Sequence, residues 1–298
     1  MSSTNSQALN ASLPLSYIFP NEGTTQEGQH SSYAYIQLSD FVTGSLFYHP
    51  ALAAEKVKQL DSSAAAGLSA IIGDQQPDTY FIESIVNQIT QAPSLKDKTL
   101  RIVLGHLDSS AYSSLIGGDL FHKETNPQLG LRGVSLYATD EYTSAFSLEC
   151  SVIKILRTQG FKIEIVVPYV RTLSDAAKVI DLLAEQGLPR GLDGLKVLFS
   201  IEQPSSALMV DRLLHYFDGV VLNLDSLTQS IFAIDINIEA LRSHFDPESE
   251  VILDLATKVV KAVQKANKPL TLKISDLATY PKLQHFILDK HIHQVASY

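Results

Sequence analysis

The sequence predicts an α/β protein built as a (β/α)8 TIM-type barrel. Three observations lead there. Short apolar runs rich in β-branched residues alternate with amphipathic stretches along most of the chain. Strand followed by helix, repeated, implies parallel strands with crossover helices, and 298 residues hold enough units to close a barrel. No Gly-x-Gly-x-x-Gly follows the first strong apolar run, which weakens the open dinucleotide-binding sheet as an alternative.

Residues 1–32 are rich in Ser, Asn, Gln, Thr and Gly, and are expected to form a polar N-terminal arm. Only LPLSYIF (13–19) breaks that polarity. The barrel is expected over 33–298. YAYIQL (33–38) is its first strand candidate and a weak one. His49, before Pro50, reads as a helix-start residue. FIESIVNQI (81–89) has helical periodicity, and TLRIVLG (99–105) follows as a strand. The helix TSAFSLECSVIKILRTQ (143–159) leads to the strand FKIEIVVPY (161–169). Thr172 and Asp175 have the spacing of a capping box, which starts the helix SDAAKVIDLLAEQ (174–186), and Gly187 fits its C-terminus. LKVLFSI (195–201) is a strand, SALMVDRLLHYF (206–217) a helix and DGVVLNL (218–224) a strand. Ser226 and Gln229 suggest a second capping box. EVILDLATKVVKAVQKA (250–266) is a helix, KPLTLKI (268–274) a strand and HQVAS (293–297) a weak final strand. With Tyr298 the last residue, a barrel lacking its closing helix is expected.

Composition narrows the function classes. Hydrophobic residues make up 45% of the chain, enough to bury a sizeable core. A formal net charge of -9, from 32 acidic and 23 basic residues, argues against nucleic-acid binding. A locally positive pocket for an anionic ligand stays compatible with it. The single cysteine, Cys150, excludes an intramolecular disulfide and reads as a buried side chain on a helix in a reducing compartment. The N-terminus lacks a signal-peptide pattern and no run of 18 apolar residues occurs, so a cytoplasmic protein with no membrane contact is expected.

In a β/α barrel, chemistry is built where strands end. The polar residues expected at that mouth are His106, Arg132, Arg171, Glu202, Asn223, Asp225, Ser226 and Lys273. Glu202 could hold a divalent cation or join a salt bridge. Asp225 could be a second ligand or a helix cap, and Ser226 reads as an N-cap. Arg132, in a loop with two glycines, could grip a carboxylate or phosphate, or lie on the surface. Lys273 could bind phosphate, form a Schiff base or pair with a carboxylate. His291, His293 and His285 match no standard zinc spacing.

Seven blocks in order carry a resemblance: YHPAL (48–52), NPQLGLRGVSLY (126–137), FSLEC (146–150), VPYVRT (167–172), QGLPRGLDGLKV (186–197), IEQPSSAL (201–208) and FDGVVLNLDSLTQ (217–229). Together they resemble the C-terminal phosphoenolpyruvate-binding barrel of phosphoenolpyruvate synthase, which pyruvate phosphate dikinase and the phosphotransferase-system enzyme I share. The resemblance implies a site for phosphoenolpyruvate or pyruvate with magnesium, served by a phosphohistidine on a mobile domain. Glu202 matches one magnesium ligand and Arg132 matches an anion-gripping arginine. At the family's Asn-Asp pair this chain has Asp225 and Ser226, so the ligand aspartate is a serine, and Asn223 and Leu224 replace the Gly-Ser before it. Leu136 and a position near Val103 take the places of two further arginines. Lys273 stands where the family has its proton-donating cysteine, and the family's early Arg-x-Glu reads Leu38, Ser39, Asp40.

Phosphoryl transfer rests on positioning and charge neutralisation; these replacements attack both, and they remove the enolate's acid. The leading expectation is a non-catalytic relative acting as a binding or regulatory protein, a homodimer or a heteromer with a related chain. The alternative is a residual metal-dependent enzyme on phosphoenolpyruvate, pyruvate or another small α-keto acid, with Glu202 and Asp225 on magnesium, Arg132, Asn223 and Asp225 on substrate, and Lys273 as acid or base. A third reading is a half-enzyme completed in trans by a phosphohistidine protein. No ATP-binding or swivelling domain is read in the sequence, so the ATP-dependent cycle is not expected of the chain alone. The Lys273 ammonium is expected to stand in the place of magnesium and neutralise Glu202 and Asp225.

Overall fold

The computed structural model describes residues 13–20 and 31–297. Eight strands form one all-parallel sheet in chain order: β1 Tyr17–Phe19, β2 Tyr33–Gln37, β3 Thr99–Val103, β4 Lys162–Val167, β5 Lys196–Ile201, β6 Gly219–Asn223, β7 Leu270–Ile274 and β8 Val295–Ser297. The sheet closes on itself. The Ser16 amide donates to the Val295 carbonyl at 2.6 Å, and the Val295 amide donates to the Pro14 carbonyl at 2.9 Å. The longer helices are α1 Ser62–Ile72, α2 Pro77–Thr90, α3 Thr143–Thr158, α4 Leu173–Glu185, α5 Leu224–Phe232, α6 Glu250–Lys265 and α7 Pro281–Asp289. The barrel expected from the sequence is the one observed. Among the described residues, no helix is long and apolar enough to cross a membrane.

Several local expectations need correction. The segment 13–19, read as the apolar patch of the arm, supplies β1 and the closing contacts to β8. The rest of the arm, 1–12 and 21–30, lies outside the described residues. The helix expected over 206–217 is two short ones, Pro204–Leu208 and Val210–Leu213, separated at Met209. His49 starts no helix; it is buried and stacks on Phe121 with ring centroids 3.7 Å apart. Ser226 is not an N-cap, because β6 runs straight into α5 and Asn223 caps it: the Ser226 amide donates to Asn223 Oδ1 at 3.3 Å. The capping box of Thr172 and Asp175 is present, and Gly187 ends α4 with φ +78°.

Alternation along the strands sorts side chains between two cores. Outward residues pack under the helices; Cys150 of α3 is among those buried there. Inward residues fill the barrel with Ile18, Tyr35, Val103, Val166, Leu198, Val221 and Ala296. Nearer the N-terminal ends of the strands, Arg101 enters the barrel and meets Glu164, Nε to Oε2 at 2.7 Å, with further hydrogen bonds to Thr271 and Gln294. Val103 therefore belongs to the apolar filling. The arginine of that strand lies one inward layer below it, away from the mouth.

Candidate functional site

Most of the residues singled out in the sequence arrive at the C-terminal ends of neighbouring strands because they stand at or just past apolar runs that the barrel buries; Arg132 comes from a loop. Glu202 follows β5, is 3% exposed, and its Oε2 accepts the Tyr169 amide at 3.0 Å. Burial raises its carboxyl above the ordinary value, offset in part by the Tyr169 amide and the charges of Arg132 and Lys273. Tyr169 follows β4 with φ +53°, a conformation rare for an aromatic residue, and this turn presents its amide to Glu202.

Arg132 reaches the mouth from the long loop after β3. Its Nε and Nη2 donate to the His106 carbonyl at 3.2 and 3.1 Å, and its guanidinium lies 4.1 Å from the Tyr169 ring centroid. Arg171 fixes the same loop by donating to the Arg132 and Gly130 carbonyls at 3.3 and 2.9 Å. Gly133 allows the loop to approach: a Cβ there would sit 2.2 Å from the Pro168 carbonyl oxygen, and its φ is +53°. Leu136, where the resemblance puts an arginine, packs half-buried against the outer core.

On the other side, Lys273, next to last in β7, has Nζ 3.7 Å from Asp225 Oδ2. That oxygen also accepts the Ser275 amide at 3.0 Å and the Ser275 hydroxyl at 2.9 Å. Asp225 lies in the first turn of α5, where a carboxylate suits the positive helix end. Asn223 directs its side-chain oxygen to the cap described above, so that oxygen is already engaged. Gln37, ending β2, donates to both carboxylate oxygens of Asp40, at 3.2 and 3.0 Å. Burial raises the Asp40 carboxyl, while Gln37 and the Lys273 charge act the other way. Burial, then the charges of Arg132 and Lys273, hold the His106 imidazole down at about 3, so it is neutral at pH 7.

Beneath the loop lies a buried polar cluster. Glu149 of α3, 1% exposed, accepts the Gly105 amide at 2.9 Å and the Tyr142 hydroxyl at 3.2 Å. The Tyr137 hydroxyl donates to the Gly105 carbonyl at 2.6 Å. Gly105 is thus gripped on both sides, which sets the position of His106 and, through its carbonyl, of Arg132. Burial pushes the Glu149 carboxyl up to about 7, against the two hydrogen bonds that favour its ionised form.

Beside the mouth opens a cavity of about 520 Å³, lined among others by Arg132, Tyr169, Gln203, Ser226, Gln229 and Asp235. Its size suits a small metabolite. The donor set does not suit a magnesium ion held by two protein carboxylates. Asp225 is engaged by Ser275 and Lys273, and Ser226 stands at the expected second ligand position. Among the described residues, no group of three or more His, Cys, Asp or Glu could hold a metal ion. The geometry joins Glu202 with Tyr169, Arg132 with His106, and Asp225 with Lys273 and Ser275. Tyr169, Ser275 and Glu149 were not singled out from the sequence; for Tyr169 and Glu149 the one available signal was their place in the VPYVRT and FSLEC blocks.

Comparison with known proteins adds an independent line. The family described as "PEP-utilising enzyme, PEP-binding domain" matches residues 75–296. Phosphoenolpyruvate synthase of Pseudomonas aeruginosa is 34% identical over 230 residues, covering 76% of this chain and 29% of the relative. The Neisseria meningitidis phosphoenolpyruvate synthase is 29% identical over 252 residues, covering 83% and 32%. The Escherichia coli one is 32% identical over 200 residues, covering 66% and 25%. The chain therefore spans between a quarter and a third of the length of these relatives.

Proposed function

The chain belongs to the PEP-utilising enzymes, in their PEP-binding domain, and from that premise we propose that it is a non-catalytic, ligand-binding member acting as a regulatory protein. Its ligand is a small anion of the phosphoenolpyruvate or pyruvate class, held at the mouth by Arg132 without a magnesium ion. Assembly as a homodimer, or with a related chain, belongs to the same reading.

One observation supports this above the others: Lys273 faces Asp225 at 3.7 Å, and its charge also acts on Glu202 and Asp40. A fixed ammonium neutralises carboxylates that a divalent ion would otherwise bridge. It cannot replace the ion as a clamp on a transferring phosphoryl group, which must hold attacking and leaving oxygens together. It also stands where the resemblance puts the enolate's proton donor. The guanidinium of Arg132, stacked on Tyr169, can still pair with a carboxylate or phosphate.

The test is incubation of the full chain with phosphoenolpyruvate and magnesium while pyruvate is followed. No pyruvate above the protein-free control is expected, together with a rise in melting temperature that Arg132→Ala abolishes. Magnesium-dependent hydrolysis of phosphoenolpyruvate to pyruvate and inorganic phosphate, with water as the phosphoryl acceptor, lost in Glu202→Ala, would instead establish a residual metal-dependent enzyme, a reading that the retained Glu202 supports.

A further inference from the structure

The end of the barrel opposite the mouth carries a second concavity, of about 680 Å³. Its wall is built from the N-terminal ends of β3, β4 and β5, the last two turns of α3 and the turns after α3 and α4. Lys154, Arg157, Lys162 and Lys196 line it, against two carboxylates, Glu164 and Asp193. That balance is the reverse of the whole chain, whose net charge is -9.

Of the two carboxylates, Glu164 does little to oppose an incoming anion. It is already neutralised from behind by the buried Arg101 at 2.7 Å, and its other oxygen faces Lys196 at 3.4 Å. Asp193 lies in a turn whose backbone is held by Arg157, which donates to the carbonyls of Leu192 and Asp193 at 3.1 and 3.3 Å. Those bonds also fix the guanidinium at the rim. Gly160, Gly187 and Gly194 share the wall, and a Cβ on any of them would meet nothing within 4 Å, so the space is open. Phe161 adds an aromatic surface.

We propose that this pocket binds a small polyphosphate-bearing anion, at a site separate from the mouth. Cations gathered in a concave wall focus their potential inward, and ammonium and guanidinium groups both bind phosphate oxygens well. A compact ligand fits, whereas a long nucleic acid would meet the acidic remainder of the surface. In barrels of this kind the N-terminal face is remote from the chemistry, so the ligand acts on stability and regulation, not on a reacting group. β4 and β5 begin at this pocket and end beside Tyr169 and Glu202.

The test is isothermal titration of the full chain with tripolyphosphate and, separately, with a nucleoside triphosphate, both free of divalent metal. Saturable binding that weakens with added salt is expected, and the double variant Lys154→Ala/Lys162→Ala should weaken it at least tenfold while its circular-dichroism melt shows an intact fold. Tighter binding of the nucleoside triphosphate would assign its organic part to Phe161; equal binding would assign the site to the phosphates alone. Absence of binding by either ligand, affinity unchanged in the double variant, or loss of binding in Arg132→Ala would overturn the proposal.

Discussion

Single residues decide whether the mouth does chemistry; Lys273 and Glu202 were legible because each stands at the edge of an apolar run, and Arg132 because it lies in a loop with two glycines. Tyr169 was not, because its role rests on a left-handed backbone that residue type does not reveal. Glu149 looked like any glutamate of an amphipathic helix; only tertiary packing buries it at 1% exposure. That burial has a measurable consequence. The carboxyl titrates at about 7 in the folded chain, against an ordinary value of 4.5. Between those values the folded state holds a proton that the unfolded state has released, so this group's contribution to stability falls as pH rises through the window. The full effect is on the order of 3 kcal/mol. His49 and His106, both held down at about 3, act oppositely: below pH 6.5 the unfolded chain takes protons that they refuse. Comparison with Glu149→Gln separates the two. The melting temperature of the wild type relative to the variant should drop by several degrees from pH 5 to pH 8; a constant difference would show that Glu149 does not titrate there.

At the level of elements, the strands were readable and the loops were not. All seven strand candidates from 33 onward coincide with β2 to β8. The first strand was hidden because it has three residues inside a polar stretch, too short for alternation to stand out. The misplaced cap at Ser226 has a similar cause: two polar residues three apart both suited the start of α5, and only the end of β6 decides in favour of Asn223. The long loop after β3 carries Arg132 and depends on Gly133. Gly133→Ala places a Cβ 2.2 Å from the Pro168 oxygen at a positive φ. It is expected to destabilise the protein by about 1–3 kcal/mol and to weaken phosphoenolpyruvate binding by displacing Arg132. Thermal melts and ligand titration of the variant check both; an unchanged affinity would mean that the loop's position does not set the anion site.

For the molecule as a whole, the count of β/α units predicted closure, and the backbone bonds between the 14–16 segment and β8 provide it. The two ends of the barrel were unequally legible. Most mouth residues stand at or just past a strand end, and Arg132, Arg171, Glu202, Asn223, Asp225 and Ser226 fall in the blocks that carry the resemblance. The basic pocket at the other end is assembled from parts of α3, β4, β5 and two turns, and no local pattern joins them. The proposed function turns on the mouth, where Lys273 would take the metal's place and anion binding would persist without it. Calorimetric titration of the full chain with phosphoenolpyruvate, with and without magnesium, tests this most directly. Binding of equal affinity in both conditions, within about twofold (a difference below roughly 0.5 kcal/mol), is the predicted result. Binding that requires magnesium and disappears in Glu202→Ala would contradict it.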